Sequence, residues 1–330
     1  MYKDKRIAVV VPAYNEEKMI VKVVETMPDF VDHIVIVDDF SNDQTVNIVK
    51  KLAREQSKHI VLIEHKVNQG VGGAIATGYL WARDNRIDVT AVMAGDGQMN
   101  PNELDRVILP VVEDRADYSK GNRLFTGMAW QKIPRKRYLG NAVLSLLTKP
   151  ASGYWHVADS QCGYTAIGLN ALELLEIEKI FPSYGMPNDL LVKLNVIEMR
   201  VTDVPVEPVY NIGERSDLKI RKVIFTISAL LVRLFFWRMK ERYVIRDFHP
   251  LVFFYLFAFV LIPLGITSGL SVLYFNTPIF GYSGKPLEVG HMILCAMFLL
   301  TGFQFLFFAM WFDMDYNKYL YVFHRKKLDK

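Results

Sequence analysis

Apolar, β-branched runs alternate with amphipathic stretches through the first 125 residues. The runs predict strands at Ile7–Val11, His33–Val37, Ile60–Ile63 and Val89–Met93. The stretches between them predict helices over Glu17–Met27, Asp43–Glu55, Gly73–Asp84 and Pro101–Glu113, the last with proline at its start. Strand runs apolar on both faces and separated by helices predict an α/β domain, Rossmann-like, with a mostly parallel sheet covered on both sides. After Tyr118 the alternation loosens: a helix is expected over Arg135–Thr148, a strand over Gly163–Ile167, a helix over Asn188–Asn195 and a strand over Glu198–Val204. From Asp217 to Arg246 basic residues interleave with Ile, Leu, Phe and Trp237, as in amphipathic helices lying in a membrane interface.

The pattern then changes completely. No Asp, Glu, Lys or Arg occurs between Phe248 and Gly284, and none from Val289 to Phe312. A charge at mid-membrane costs about 2.5–3.5 kcal/mol on insertion scales, so two such windows are informative. As helices, Pro250–Phe275 and Gly290–Phe312 would each span about 30 Å of hydrocarbon. Between them, Asn276–Glu288 carries Pro278, Gly281, Gly284 and Pro286, which suits a short turn. The basic run His324–Lys327 and the basic segment before the first window put both termini in the cytoplasm with a hairpin between. Tyr274, Tyr282, Trp311, Tyr316 and Tyr319 fall where an aromatic belt would lie. Gly265 and Gly269 form a Gly-x-x-x-Gly pair, the only hint of a homo-oligomer.

The 330 residues thus divide into a cytosolic catalytic domain (1–215), juxtamembrane amphipathic helices (216–247), a two-helix transmembrane hairpin (248–316) and a basic tail (317–330). The chain opens with charged residues and a strand-like run rather than a signal peptide, in keeping with a cytosolic first domain. Cys162 and Cys295 have neither disulfide nor zinc spacing. No nucleic-acid partner is expected.

Ligands of parallel α/β sheets bind at the carboxyl ends of the strands. The first predicted strand is followed by Pro12-Ala13-Tyr14-Asn15-Glu16, the second by Asp38-Asp39 with Ser41, Asp43 and Thr45. The third is followed by Asn68-Gln69-Gly70-Val71-Gly72-Gly73, the fourth by Gly95-Asp96-Gly97-Gln98. A dinucleotide site would carry glycines right after the first strand, and none is there; a Gly-Lys-Ser/Thr phosphate loop is also absent. What remains is a set of carboxylates suited to a base and ribose, and backbone amides near Gly70–Gly73 for phosphate or for helix docking. Asp96 and Gln98 add oxygens two residues apart, of the kind magnesium or manganese takes together with substrate phosphates.

In this order, these residues resemble the family 2 glycosyltransferases of the GT-A fold, in particular the polyprenyl-phosphate branch typified by dolichol-phosphate mannose synthase. The resemblance covers nearly the whole chain. It implies that Pro12, Tyr14, Glu16 and Asp39 hold the donor nucleoside, with Asp38, Gly70 and Asp96 beside them, and that Asp96 and Gln98 hold Mg2+ or Mn2+ on the diphosphate. Tyr118-Ser119-Lys120-Gly121-Asn122-Arg123 resembles the segment whose Arg faces the lipid phosphate. Arg137 and Asn141 fall where the family has a second Arg and a small polar residue. Asp159, Gln161 and Gly163-Tyr164 match a segment near the donor sugar, and Asn188-Asp189 a position where related enzymes carry a catalytic acid. Ser216 and Lys219 lie near a further phosphate-touching segment. The implied catalytic set is Asp96, Arg123, Arg137, Asp159 and Asp189. One departure stands out: the family's usual Asp-x-Asp has Ala94 in its first place.

The implied reaction moves one sugar, with inversion, from a UDP- or GDP-linked donor to a polyprenyl (dolichyl or undecaprenyl) phosphate at the bilayer. A phosphate monoester is already largely a dianion at neutral pH, its second pKa being about 6, so it needs little help from a general base. A processive polysaccharide synthase is disfavoured, since its Gln-x-x-Arg-Trp element has no counterpart and no Arg-Trp pair occurs. A non-catalytic nucleotide-sugar-binding adaptor, marked by Ala94, and a transferase with another lipid acceptor are the alternatives.

Overall fold

The structure, a computed structural model, describes residues 1–55, 59–125, 133–208, 220–276 and 289–323. Among these, eight strands form one mixed sheet in the order β3-β2-β1-β4-β6-β5-β7-β8. The strands are β1 (Ile7–Ala13), β2 (His33–Asp38), β3 (His59–Glu64), β4 (Val89–Val92), β5 (Tyr118–Asn122), β6 (Thr165–Gly168), β7 (Val201–Pro205) and β8 (Tyr321–Val322). Only β6 runs against its neighbours, pairing antiparallel with both β4 and β5.

The sheet is covered on both faces, and β1 shows why: it is apolar at every position. Along β1, Ile7, Val9 and Val11 enter one core while Ala8 and Val10 enter the other. The first core is closed by α1 (Ile20–Glu25), α2 (Thr45–Glu55) and α4 (Leu104–Val112). The second is closed by α3 (Val71–Asp84), α6 (Leu169–Leu174) and α7 (Met186–Val196). Helix α3 lies close on β1 at Gly78, where an added Cβ would sit 2.3 Å from Val10 Cγ1.

Several expected elements differ. The helix expected over Glu17–Met27 keeps only Ile20–Glu25, and residues 14–19 form the loop that leads to it. The one expected over Pro101–Glu113 starts as a 3-10 turn, Pro101–Glu103, in which the Asn100 side chain accepts from the Asn102 amide. Strand β5 has no apolar signature, reading Tyr-Ser-Lys-Gly-Asn, yet every residue is buried. Its polar groups find partners inside: the Ser119 hydroxyl donates to the Val107 carbonyl, and the Lys120 ammonium to the carbonyls of Asp159 and Cys162. Within the stretch read as a basic tail, β8 pairs parallel with β7, Val201 opposite Tyr321 and Thr202 opposite Val322. The ring of His156 lies 4.5 Å from that of Tyr321, whose hydroxyl donates to the Gly153 carbonyl at 3.0 Å.

The chain divides into two compact units, Met1–Phe236 with Tyr319–Lys330, and Trp237–Lys318. In the first, α5 (Arg135–Ser152) and α8 (Ile220–Lys240) share a small cluster of Leu144, Ala151, Ile227 and Leu231. The second holds α9 (Leu251–Asn276) and α10 (Val289–Tyr316), both long and apolar enough to cross a membrane. The Gly-x-x-x-Gly pair lies where the two helices of this hairpin meet. A Cβ on Gly265 would meet Leu299 at 2.7 Å, and one on Gly269 would meet the Cys295 sulfur at 3.1 Å. Two arginines of the basic stretch, expected at a lipid surface, are instead buried. Arg238 binds both carboxylate oxygens of Asp313 at 2.9 Å, and Tyr243 and Asn317 donate to the same carboxylate at 2.5 and 3.0 Å. The Arg242 guanidinium stacks 5.4 Å from the Tyr316 ring. The expected turn at 277–288, the basic run His324–Lys327, and Ser216 and Lys219 lie outside the described residues.

Candidate active site

The ends of β1 and β2 are laced together by short polar side chains. Asn15, in a left-handed conformation (φ 57°), donates its amide to Ser41 Oγ at 2.9 Å and accepts from Asn42 N at 2.8 Å. The Glu16 amide donates to Thr45 Oγ1, and Asp43 accepts from the amides of Thr45 and Glu17. Ser41, Asp43 and Thr45 therefore tie loop to loop. This leaves Tyr14 exposed and Pro12 and Glu16 partly buried at the sheet edge.

Asp38 and Asp39 are both buried there, in different circumstances. Both oxygens of Asp39 are engaged. Its Oδ1 accepts from His65 Nδ1 at 2.8 Å and from Gln69 N at 2.7 Å, and its Oδ2 accepts from Gly70 N at 2.8 Å. The carboxylate can only accept, so Nδ1 carries the ring hydrogen and Nε2 faces the Thr77 hydroxyl at 2.9 Å. Asp38 accepts the Ser41 amide through Oδ2, while its Oδ1 is buried with no partner. A buried acceptor without a donor is costly, and at a strand's carboxyl end it fits a ligand N–H or O–H.

The glycines after β3 serve docking. Gly70 has φ +81°, and a Cβ on it would lie 2.5 Å from the Pro182 carbonyl oxygen. That same oxygen accepts from the amides of Gly72 and Gly73 at 2.9 and 3.2 Å. The amino end of α3 is thus capped by the 181–185 loop, and the Gly70 amide goes to Asp39.

The loop after β4 returns to β1. Gly95 donates its amide to the Pro12 carbonyl, and a Cβ there would come within 3.4 Å of Glu16 Cγ. Asp96 follows and accepts the Gln98 amide at 3.0 Å, turning the chain so that both side chains belong to one short loop. Among the described residues no three His, Cys, Asp or Glu side chains group to hold a metal ion. The donors here are one carboxylate and one amide oxygen, with a methyl at Ala94. This set suits a hard divalent cation only when diphosphate oxygens and water complete the shell.

Across β5 lies a second polar cluster. Arg123 grips Asp159 through Nε and Nη2 at 2.8 and 3.1 Å and donates its backbone amide to the same carboxylate. Burial acts to raise the Asp159 pKa, but the charges and hydrogen bonds of Arg123, with Lys120, outweigh it and hold it below the usual range. Gln161 donates to Asn188 Oδ1 at 2.8 Å, and Thr148 Oγ1 lies 2.8 Å from the same atom. The neighbouring Asp189 is turned elsewhere. Its carboxylate takes the Phe181 amide at 2.8 Å and Lys193 Nζ at 2.6 Å, so it braces the 181–185 loop. Asn141 is partly buried on α5; Arg137 shares that helix, with its side chain outside the described residues.

Three residues that sequence reasoning passes over belong to these clusters. His65 lies directly after β3, at the sheet edge where ligands are expected. Lys120 and Asp203 are lone charges in buried strands, a signal in themselves.

The chain is similar to known proteins in sequence and in fold. The Glycosyl transferase family 2 pattern matches residues 8–173, half of the chain. The UDP-N-acetylglucosamine–dolichyl-phosphate N-acetylglucosaminyltransferase of Methanococcus voltae is 33% identical over 219 residues, 63% of this chain and 87% of that protein. A dolichyl-phosphate beta-glucosyltransferase of Trichomonas vaginalis is 28% identical over 264 residues, 72% of this chain and 76% of that one. Among solved structures, glucosyl-3-phosphoglycerate synthase of Mycobacterium tuberculosis, in complex with Mn2+, UDP and phosphoglyceric acid, superposes with TM-score 0.51 at 17% identity. It covers 71% of this chain and 78% of its own. The chain belongs to glycosyl transferase family 2, has the GT-A fold and is a glycosyltransferase.

Proposed function

We propose that this enzyme transfers one sugar from a nucleotide sugar to a polyprenyl phosphate at a membrane surface, giving a lipid-phosphate-linked monosaccharide. The observation that carries the reading is the state of the two acidic residues, Asp159 and Asp189, that the resemblance offers near the acceptor. Asp159 is paired with Arg123 and Asp189 with Lys193, so neither is poised to deprotonate a sugar hydroxyl. An acceptor that arrives ionised needs no such base, and a phosphate monoester arrives that way. The relatives named for dolichyl phosphate support the same acceptor. Family membership sets aside the non-catalytic adaptor.

On the donor side, Pro12, Tyr14, Glu16 and the buried carboxylates Asp38 and Asp39 receive the nucleoside, the unpartnered Asp38 Oδ1 accepting one of its hydrogens. Asp39 acts mainly as a bracket for His65 and Gly70. Asp96 and Gln98 would hold Mg2+ or Mn2+ against the diphosphate, where the ion would offset the charge of the leaving group. On the acceptor side, Arg123 and Arg137, with Asn141, hold the lipid phosphate; guanidinium groups suit it because they donate in a fixed fork. The phosphate oxygen attacks the anomeric carbon in line, and positioning and electrostatics supply the rate. The hairpin of α9 and α10 anchors the enzyme in the bilayer, with the catalytic domain and both termini in the cytoplasm.

Incubation of the purified protein with manganese, undecaprenyl phosphate and labelled UDP-N-acetylglucosamine, UDP-glucose or GDP-mannose tests the reading. The 33% identity to the archaeal enzyme makes the first donor the expected substrate. A labelled product extracted into chloroform, dependent on the lipid, is the expected result. Transfer to water or to a free sugar alone would sink it.

A further inference from the structure

Arg123 and Asp159 come from separate parts of the chain, and each is preceded by a residue fastened to one atom. The Asn122 side-chain amide donates to Asp203 Oδ2 at 3.0 Å, and the Ala158 backbone amide donates to the same oxygen at 2.7 Å. Asp203 lies on β7, opposite Lys120 of β5 in the parallel register. Its other oxygen, Oδ1, is buried and has no partner. Asn122 in turn accepts the Leu124 amide at 3.0 Å, so its side chain fixes the backbone on both sides of Arg123.

We propose that Asp203 is a positioning residue for the acceptor side: one carboxylate oxygen sets both shoulders of the Arg123–Asp159 pair and thereby aims Arg123. This rests on the reading of Arg123 as a phosphate-binding residue. Two features of the site favour a role beyond simple packing. A carboxylate in a buried strand is costly: burial pushes the Asp203 pKa up to about 6, even with Lys120 and Lys149 nearby to favour its charge. Its binding capacity is also spent unevenly. Both hydrogen bonds fall on the oxygen facing the ion pair's neighbours, and the other oxygen is left empty. Lys120 holds the far side of the same loop through the carbonyls of Asp159 and Cys162, so the 158–162 segment is hung from two strands.

The test is steady-state kinetics with UDP-N-acetylglucosamine and undecaprenyl phosphate in detergent micelles, on the full chain. Asp203→Ala should raise the acceptor KM on the order of tenfold or more, the loss expected for misaiming a charged hydrogen-bond donor. UDP binding, read by thermal shift, should be unchanged. Asp203→Asn can turn its carbonyl oxygen to the two donors and its NH2 to the empty side, and should recover most of the acceptor KM. A merely structural residue would not give that split or that rescue. Asn122→Ala, which removes one tether and leaves the carboxylate in place, should show the same acceptor defect at smaller size, and serves if Asp203→Ala does not fold. Arg123→Ala runs in parallel. An acceptor defect there, with wild-type acceptor KM in the brace variants, overturns the brace alone. A wild-type acceptor KM in Arg123→Ala overturns the phosphate reading, and the brace with it. Equal loss of donor and acceptor binding in Asp203→Ala also overturns the brace.

Discussion

At the scale of single residues, the sheet edge shows how identity and role can part. Asp38-Asp39, Gly70–Gly73, Asp96-Gln98 and Arg123 are legible because they follow strands in an order that chemistry at a sheet edge makes informative. Their partners are not legible. Nothing in the sequence says that Asp39 spends its lone pairs on His65, Gln69 and Gly70, or that the α3 amides go to Pro182 rather than to phosphate. The same holds for Asp189, which spacing puts beside the chemistry. The fold places Asn188 in the Gln161 cluster and turns Asp189 to Lys193. A direct consequence follows for mutants. Arg123→Ala should cut turnover on the order of a hundredfold, as loss of a positioned cationic donor does. Asp189→Asn should cost far less activity, and chiefly stability, on the order of 1–3 kcal/mol, because it weakens the Lys193 contact and the anchor of Phe181. Single-turnover rates with a thermal melt on each variant check this. If Asp189→Asn abolished transfer while Arg123→Ala retained it, the acceptor would need a base after all.

At the scale of elements, strands and helices are recovered wherever the apolar period is clean and lost where polar groups pair internally. Strand β5 escapes because Ser119, Lys120 and Asn122 disguise a buried strand; β8 escapes because two residues give no period at all. What secures β8 is its neighbours. His156 donates from Nε2 to the Val201 carbonyl at 2.8 Å and packs on the rings of Tyr321 and Phe323. Burial, with the Lys149 charge adding to it, depresses the His156 pKa to about 4 against the pull of the Val201 carbonyl. The unfolded histidine titrates near 6.5, so the unfolded chain takes up the proton first as pH falls. The stability that neutral His156 contributes is therefore complete above about pH 6.5 and lost toward pH 4, at roughly 1.4 kcal/mol per unit. His156→Phe should melt lower at pH 8, for want of the hydrogen bond, yet fall less steeply between pH 6.5 and 4.5; parallel acid limbs would contradict it. The Arg238–Asp313 pair makes a second case, since both side chains are fully enclosed. Removing one member strands a buried charge, and Asp313→Ala should cost about 3–5 kcal/mol. The double variant Arg238→Met, Asp313→Leu should recover much of that, measured by melting in detergent.

At the scale of the whole molecule, composition is the strongest guide: two charge-free windows mark the hairpin from residue types alone, and both are helices of spanning length. Composition predicts that the chain returns to the same side, but not that it rejoins the sheet. The stretch after the second window does not simply trail away: it re-enters the first unit at Tyr319 and supplies β8 to the sheet that begins at Ile7. A chain that leaves a domain, crosses a bilayer and then hydrogen-bonds back into the same domain must cross an even number of times. If both α9 and α10 cross the bilayer, the pairing of β8 with β7 requires both ends of the hairpin to lie on one side, an expectation that rests on strand pairing and needs no count of basic residues. In a background lacking Cys162 and Cys295, cysteines placed at Glu55 and at Phe323, both exposed, should react with an impermeant maleimide from the same side of sealed vesicles. A cysteine at Gly281, between the two helices, should react only from the other. Labelling of positions 281 and 323 from one side would mean that a helix fails to span, and the membrane-surface reading of the acceptor site would fall with it.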